Sequence, residues 1–340
     1  MSEYSIRMIK GNEVLSLLRN KEQEILEVIE RCYSLYDKND CSLPHSSFLS
    51  FPNNTSSRII ALPGYLGGEF NVAGIKWIAS FPKNIELNLE RASATIILNC
   101  SKTGRPIAII EGSTISAIRT AASAALSVKM LTENVYGIRD FSIIGCGLIG
   151  FETLGYLKLV CPNIECVNLF DKDLNRIKQF RDKCMQYYSG IHFNIVNDIK
   201  ECFSSHVVAL TTTANLPYIQ NLPACSPDKI ILNLSLRDLS PEIILQNDNV
   251  VDCVDHICRA NTSIHLASNS SKNTEFIRAT IGQLVNGVAK AKELDRPTIF
   301  SPFGLGILDL GLGDLTFNLA LANGIGADID GFSATHWLDR

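Results

Sequence analysis

The run Gly145-Cys146-Gly147-Leu148-Ile149-Gly150 constrains this chain more than any other feature. The apolar stretch Phe141-Ser142-Ile143-Ile144 precedes it, and a further apolar segment continues to about residue 159. These flanks read as a short buried strand and a helix, so the glycines fall in a strand-to-helix turn. Cys166-Val167-Asn168-Leu169-Phe170 reads as the next strand. Asp171 closes it about twenty residues beyond the turn, where an acid meets ribose hydroxyls in a dinucleotide site. The first glycine permits the tight turn, the second lets a pyrophosphate approach the backbone, and the third allows close helix–strand contact. Leu148 and Ile149 contribute free N–H groups of the helix start to the phosphates. A carboxylate at position 171 repels a 2′-phosphate, which favours NAD over NADP, with Lys172 and Arg176 nearby acting in the opposite sense.

The rest of the chain divides around this motif. Apolar residues at helical spacing (Val14, Leu17, Leu18, Ile25, Val28, Ile29, Cys32) predict a helix over 13–36. Residues 44–57, rich in Ser, Pro and Asn, read as loop. Segments 58–62, 74–78, 93–99 and 107–111 read as strands of an antiparallel sheet, and 116–130 as an alanine-rich helix. Beyond the glycine turn, helix-like and strand-like segments alternate through 174–188, 191–196, 207–211, 229–234 and 249–254, the pattern of a parallel, doubly wound α/β sheet. An amphipathic helix is expected over 276–294 and a strand at 298–300, ahead of a second glycine-rich stretch.

At 340 residues, the chain has room for two domains with separate cores. A net charge of −4 argues against a nucleic-acid partner. No apolar run reaches bilayer-spanning length, and residues 1–10 lack a signal-type apolar core, so no membrane association and a cytoplasmic location are expected. The eleven cysteines are scattered without a C-x-x-C pair, and the six histidines never join them at zinc-ligand spacing. His256 near Cys258 comes nearest and reads as structural. Reduced thiols and no metal are the expectation.

Arg58, Lys76, Arg91 and Arg119 each sit beside apolar neighbours in or near a predicted strand or helix start. Singly, such residues are most often solvated or ion-paired. Lys76, between Ile75 and Trp77, fits that reading least, and Arg119 is suited to hold an amino-acid carboxylate. Here the sequence resembles a known family. Ile118-Arg119-Thr120-Ala121-Ala122-Ser123-Ala124, the Gly145 turn, Asp171 and the segment 233–238 resemble the ornithine cyclodeaminase/mu-crystallin family over nearly the whole chain. Arg58-Ile59-Ile60-Ala61-Leu62-Pro63, Gly74-Ile75-Lys76-Trp77-Ile78 and Glu90-Arg91-Ala92-Ser93 look most like its branch in 2,3-diaminopropionate biosynthesis.

The resemblance implies a substrate-binding and dimerisation domain over 1–125, completed by about 306–340, and an NAD-binding Rossmann domain over 126–305. It also implies a homodimer. Within it, Arg119 binds the substrate α-carboxylate and Thr120 a cofactor phosphate, while Lys76 acts in catalysis, polarising the imine intermediate and binding carboxylate. Asp238 matches the catalytic aspartate. Thr213, Asn233 and the turn Pro302-Phe303-Gly304 line the nicotinamide side, which makes the Gly304/Gly306 and Gly311/Gly313 pairs a cofactor-facing turn and helix start. The chain departs from cyclodeaminases at Ile60, where they carry glutamate, and at 48–50, where they place an arginine that Arg58 replaces. Arg91 stands in place of a cofactor-binding threonine, and Arg237 immediately precedes Asp238.

The implied activity is NAD-dependent oxidative cleavage of N-(2-amino-2-carboxyethyl)-L-glutamate to 2-oxoglutarate and 2,3-diaminopropionate. The same scaffold also suits an ornithine cyclodeaminase, an alanine-type dehydrogenase, an imine reductase or a non-catalytic dinucleotide binder. Without the resemblance, Asp238 reads equally well as a turn acid before Ser240-Pro241.

Overall fold

A computed structural model describes residues 5–223, 225–334 and 337–339. Residues 1–4, part of the segment read for a signal peptide, lie outside the described residues. The chain divides into two compact units, 1–119 with 305–340 and 120–304.

The first unit is built on an eight-stranded sheet. Asn54–Leu66, Val72–Ser80, Ala92–Cys100 and Pro106–Glu111 pair antiparallel in chain order. Ile6–Ile9 then joins Pro106–Glu111 in parallel, and Ala327–Ile329 closes that edge antiparallel. Strand alternation assigns the faces. Leu62, Ile96, Leu98, Ala108 and Ile110 are buried on one face, where the helix Gly306–Asn323 packs.

The second unit carries an eight-stranded, wholly parallel sheet with Asp140–Ile144 near its middle. Cys166–Phe170 and His192–Ile195 follow on one side. Val207–Leu210, Ile230–Asn233 and Thr298–Ser301 follow on the other. The central strands are buried along their whole length, which is why they read as unbroken apolar runs. In such a sheet the crevice at the carboxyl ends, where strand order reverses, is the ligand site.

Four expectations need correction. The predicted helix over 13–36 is two helices, Gly11–Leu18 and Glu22–Asp37, because Asn20 adopts a left-handed conformation (φ 58°) between them. The predicted loop over 44–57 contains the strand Ser47–Phe51, paired antiparallel with Asn54–Leu66. The predicted helix over 276–294 is instead the strand Ile277–Thr280 followed by the short helix Ile281–Val285. Parallel pairing with Asp248–Val251 captures the strand, and a reciprocal Thr280–Gln283 cap starts the helix. Finally, Gly311 and Gly313 lie inside the helix Gly306–Asn323, not in a cofactor-facing turn. A Cβ at Gly311 would stand 2.4 Å from Cys32 Sγ, so this glycine serves helix–helix packing within the first unit.

Candidate functional site

The glycine turn has the geometry that phosphate binding requires. Gly145 has φ +102°, and a Cβ there would lie 2.7 Å from the backbone of Thr211. A Cβ on Gly147 would meet nothing within 4 Å. The second glycine therefore opens onto free space, where a pyrophosphate could approach. Helix Leu148–Val160 begins there without a side-chain cap, so its first N–H groups are available to an anion. Asp171 ties the next strand to this turn. Its Oδ2 accepts the Cys146 N–H at 2.8 Å and its Oδ1 that of Asp173 at 3.1 Å, leaving lone pairs for hydroxyl donors. Burial, with Asp171 beside it, pushes the Cys146 thiol up, so it stays protonated in the turn.

The other predicted cofactor residues of this unit follow neighbouring strands at the same carboxyl edge. Asn233 ends its strand fully buried, donating to Ser301 Oγ at 3.0 Å while its Oδ1 has no partner. The backbone N–H groups of Phe303 and Gly304 are engaged by Asp252, at 2.9 and 2.6 Å. These N–H groups are thus occupied, and the Phe303 ring stands edge-to-face with His256. Sequence reasoning missed Asp252, which lies just past a strand end and carries no motif. Thr213 is exposed, and Thr120 lies near the start of this unit, half-buried in the helix Ser113–Leu131. The open space at Gly147, the uncapped helix start and the orphaned Asn233 oxygen together fit a bound dinucleotide.

Asp238 is fully buried at this edge. Thr212 donates to its Oδ1 at 2.5 Å, and the Ser235 hydroxyl meets its Oδ2. Thr212 went unnoticed in the sequence because the family resemblance singled out its neighbour Thr213 instead. Burial, and then the charge of Asp238, pushes the Tyr218 phenol up.

The cationic residues belong to the first unit. Lys76 is 2% exposed, and its ammonium donates to Asp309 Oδ2 at 2.6 Å and to Ser116 Oγ at 3.3 Å. Arg119 Nε donates to Asp309 Oδ1 at 3.2 Å. A buried ammonium without a counter-charge costs several kcal/mol, so Asp309 is what makes Lys76 tenable there. Burial still lowers Lys76 to about 8, with Asp309 opposing that shift and Arg119 adding to it. Asp309 was hidden in the sequence by the glycine-rich run read as a cofactor-facing turn and helix start. Once that run is seen as a helix, a lone acid among apolar neighbours becomes conspicuous.

Arg58 and Arg91 form a second station. Strand register pairs Arg58 with Ser80, and Arg91 donates to Ser80 Oγ at 3.0 Å. Neither arginine has an acidic partner among the described residues, and Arg58 Nε is buried without any acceptor. Burial lowers both guanidiniums, and the charge of Arg58 lowers Arg91 further. Two half-buried like charges without a counter-ion among the described residues could hold an anion.

The sequence profile of the ornithine cyclodeaminase/mu-crystallin family matches residues 12–321. The chain belongs to that family. It is 33% identical over 321 residues to the N-((2S)-2-amino-2-carboxyethyl)-L-glutamate dehydrogenase of Staphylococcus aureus, covering 92% of this chain and 94% of that protein. It is 27% identical to an alanine dehydrogenase of Archaeoglobus fulgidus, over 96% of this chain and 98% of that one. Among solved structures, an archaeal alanine dehydrogenase dimer with bound NAD superposes with TM-score 0.84 at 26% identity, over 96% and 99% of the two chains. The Thermococcus litoralis Δ1-pyrroline-2-carboxylate reductase, solved with NADH and L-proline, gives TM-score 0.88 at 24% identity, over 95% and 100%. The Rossmann-type α/β architecture is thus common to this chain and these enzymes. No helix among the described residues is long and apolar enough to cross a membrane.

Proposed function

We propose that this chain is an NAD-dependent dehydrogenase acting on the secondary amine of N-(2-amino-2-carboxyethyl)-L-glutamate, releasing 2-oxoglutarate and 2,3-diaminopropionate. The observation that carries the substrate assignment is the pair of cationic stations on one sheet face. Arg58 lies opposite Ser80 and Lys76 opposite Leu62, so the Lys76 level is four positions along the strand from Arg58. That is roughly 13 Å at the backbone, a gap that long basic side chains shorten from both ends. A substrate with several separated carboxylates can engage both stations, whereas alanine or proline offers one carboxylate. The dehydrogenase from Staphylococcus aureus, named for this tricarboxylate, supports the same choice.

NAD, when bound, supplies the two-electron acceptor for the hydride leaving the glutamyl Cα. The Gly145–Gly150 turn and Asp171 hold its pyrophosphate and ribose, with Thr120 at a phosphate and Thr213, Asn233, Phe303 and Gly304 on the nicotinamide side. Lys76 and Arg119 hold the α-carboxylate, fixing the reacting carbon and placing positive charge beside it. Arg58 and Arg91 hold a distal carboxylate. Asp238 accepts one proton from the substrate ammonium, freeing the nitrogen lone pair that forms the C=N bond. Water then adds to the imine carbon, and the carbinolamine collapses to the ketone and the released amine.

The assembly is a homodimer formed through the first unit. Its support is the uncovered sheet face, where Ile59, Ala61, Pro63, Ile75, Ile97 and Ile109 are only half-buried and Trp77 is 44% exposed. The archaeal alanine dehydrogenase is likewise a dimer.

The distal station gives the direct test. Arg58→Ala and Arg91→Ala are each expected to raise KM for the tricarboxylate about tenfold or more while NAD affinity stays unchanged, since each removes a charged hydrogen-bond donor. Steady-state kinetics with unaltered KM in both variants would contradict the assignment.

A further inference from the structure

The hydroxyl of Ser235 lies between two acceptors, the Asp238 carboxylate on one side and the Leu210 carbonyl, 3.1 Å away, on the other. We infer that Ser235 is a positioning residue that lets the fully buried Asp238 carboxyl gain and lose a proton without leaving any polar group unpaired. This inference rests on the proton-acceptor role proposed for Asp238.

A hydroxyl carries one proton and two lone pairs, so Ser235 donates to one of its two acceptors at a time. With Asp238 ionised, Ser235 donates to Oδ2 and Thr212 to Oδ1. When the substrate ammonium gives up its proton, that proton comes to rest on Oδ2. The new carboxyl O–H donates to Ser235 Oγ, and the serine proton turns to the Leu210 carbonyl. One proton has moved from nitrogen to Oδ2, the Ser235 O–H has only rotated, and every group is bonded before and after. Thr212 plays a different part. Its Oγ1 donates to Oδ1, accepts the Ala214 N–H at 3.2 Å and is hydrogen-bonded to the Tyr218 phenol, which bonds Asp238 as well.

The backbone shows that this arrangement is held in place. Leu236, between Ser235 and Asp238, has φ +69°, a conformation that disfavours a residue with a Cβ. Three hydrogen bonds hold the turn: Ser235 N–H to the Leu210 carbonyl at 2.9 Å, Ser263 N–H to the Leu236 carbonyl at 2.7 Å, and Arg237 Nη2 to the Ala260 carbonyl at 2.8 Å. Among the described residues, the titratable and charged groups around Asp238 are the Tyr218 phenol, hydrogen-bonded to the Asp238 carboxyl, with Cys202 beyond it and the Lys172 ammonium 5.5 Å from its ring, and the Arg237 guanidinium, turned to the Ala260 carbonyl. Tyr218 stays protonated, because burial and the neighbouring Asp238 both oppose its ionisation. Sequence spacing alone, Ser235 three residues before Asp238, does not reveal any of this.

The test titrates the Asp238 carboxyl by 13C NMR in the full-length protein, its signal assigned as the one absent in Asp238→Asn. Ser235→Ala deprives the ionised form of a charge-assisted hydrogen bond and the neutral form of an ordinary one, which is roughly half as strong. Its titration midpoint is therefore expected to rise by about one pH unit, tenfold in proton affinity. Ser235→Thr restores the wild-type midpoint, and Ser235→Cys, a weaker donor of similar size, gives an intermediate one and serves if the alanine variant does not fold. Midpoints equal to wild type in both the alanine and cysteine variants would overturn the inference while leaving Asp238 as proton acceptor. Full turnover in Asp238→Asn would instead remove the proposed role of Asp238, and the inference with it.

Discussion

Lys76 remains an ammonium in almost complete burial because Asp309 stands 2.6 Å from it, and Arg119 leans on the same carboxylate. With burial lowering Lys76 to about 8, its charge is present below that pH and lost above it. In the proposed site, the substrate carboxylate then loses one of its two cations as pH rises. KM is therefore expected to climb as pH passes through about 8, and Lys76→Met to show a high KM at every pH without that climb. A wild-type KM that stays flat from about pH 7 to about pH 9 would contradict this. At this scale the sequence was informative about basic residues and blind to their partners. Lys76 stands out because an apolar strand has no use for it unless it is paired. Its acid lies 233 residues away, on a helix whose glycines look like a turn. Thr212 and Ser235 were equally hidden, since hydroxyl residues at strand ends are common and only the folded edge brings them onto Asp238.

Among the elements, the strand-to-helix turn makes the sharpest prediction, because its glycines answer to different constraints. Gly145 has a left-handed backbone and a neighbour in the way, so Gly145→Ala is expected to cost about 1–3 kcal/mol from the backbone alone and to lower the unfolding temperature. Gly147 has φ −116° and open space, so Gly147→Ala should unfold like wild type yet bind NAD at least about tenfold more weakly. Calorimetry of unfolding and NAD titration together check both; tight NAD binding by Gly147→Ala would mean that the pyrophosphate does not pass this point. The parallel sheet was legible because its strands are short apolar runs bounded by turns, and Cys166–Phe170 was read to the residue. The strands Ser47–Phe51 and Ile277–Thr280 were not, for different reasons. The first sits among the serines, prolines and asparagines of a loop-like composition and pairs with Asn54–Leu66 at the sheet margin. The second is too short for alternation to compete with the helical spacing around it, and its partner Asp248–Val251 is distant in sequence.

For the whole molecule, the first unit's sheet is apolar on both faces, and one of them is covered by the helix Gly306–Asn323. A second copy of the chain is expected on the other. Trp77→Lys places a charge in the middle of that face and should yield monomers in sedimentation velocity, where wild type is expected to sediment as a dimer. A dimer that persists would place the interface elsewhere. Family membership and the dinucleotide turn were both legible in the sequence, but the choice of amine depends on Arg58 and Arg91 having no acid of their own among the described residues, which appears only in the folded chain. The most direct test of that choice is to mix the protein with NAD and, separately, the glutamate–diaminopropionate adduct, ornithine, alanine and proline, following NADH and analysing the products. NADH, 2-oxoglutarate and 2,3-diaminopropionate appearing in equal amounts from the adduct alone is the predicted result. NADH from alanine or proline, proline formed from ornithine, or no turnover of the adduct would contradict it.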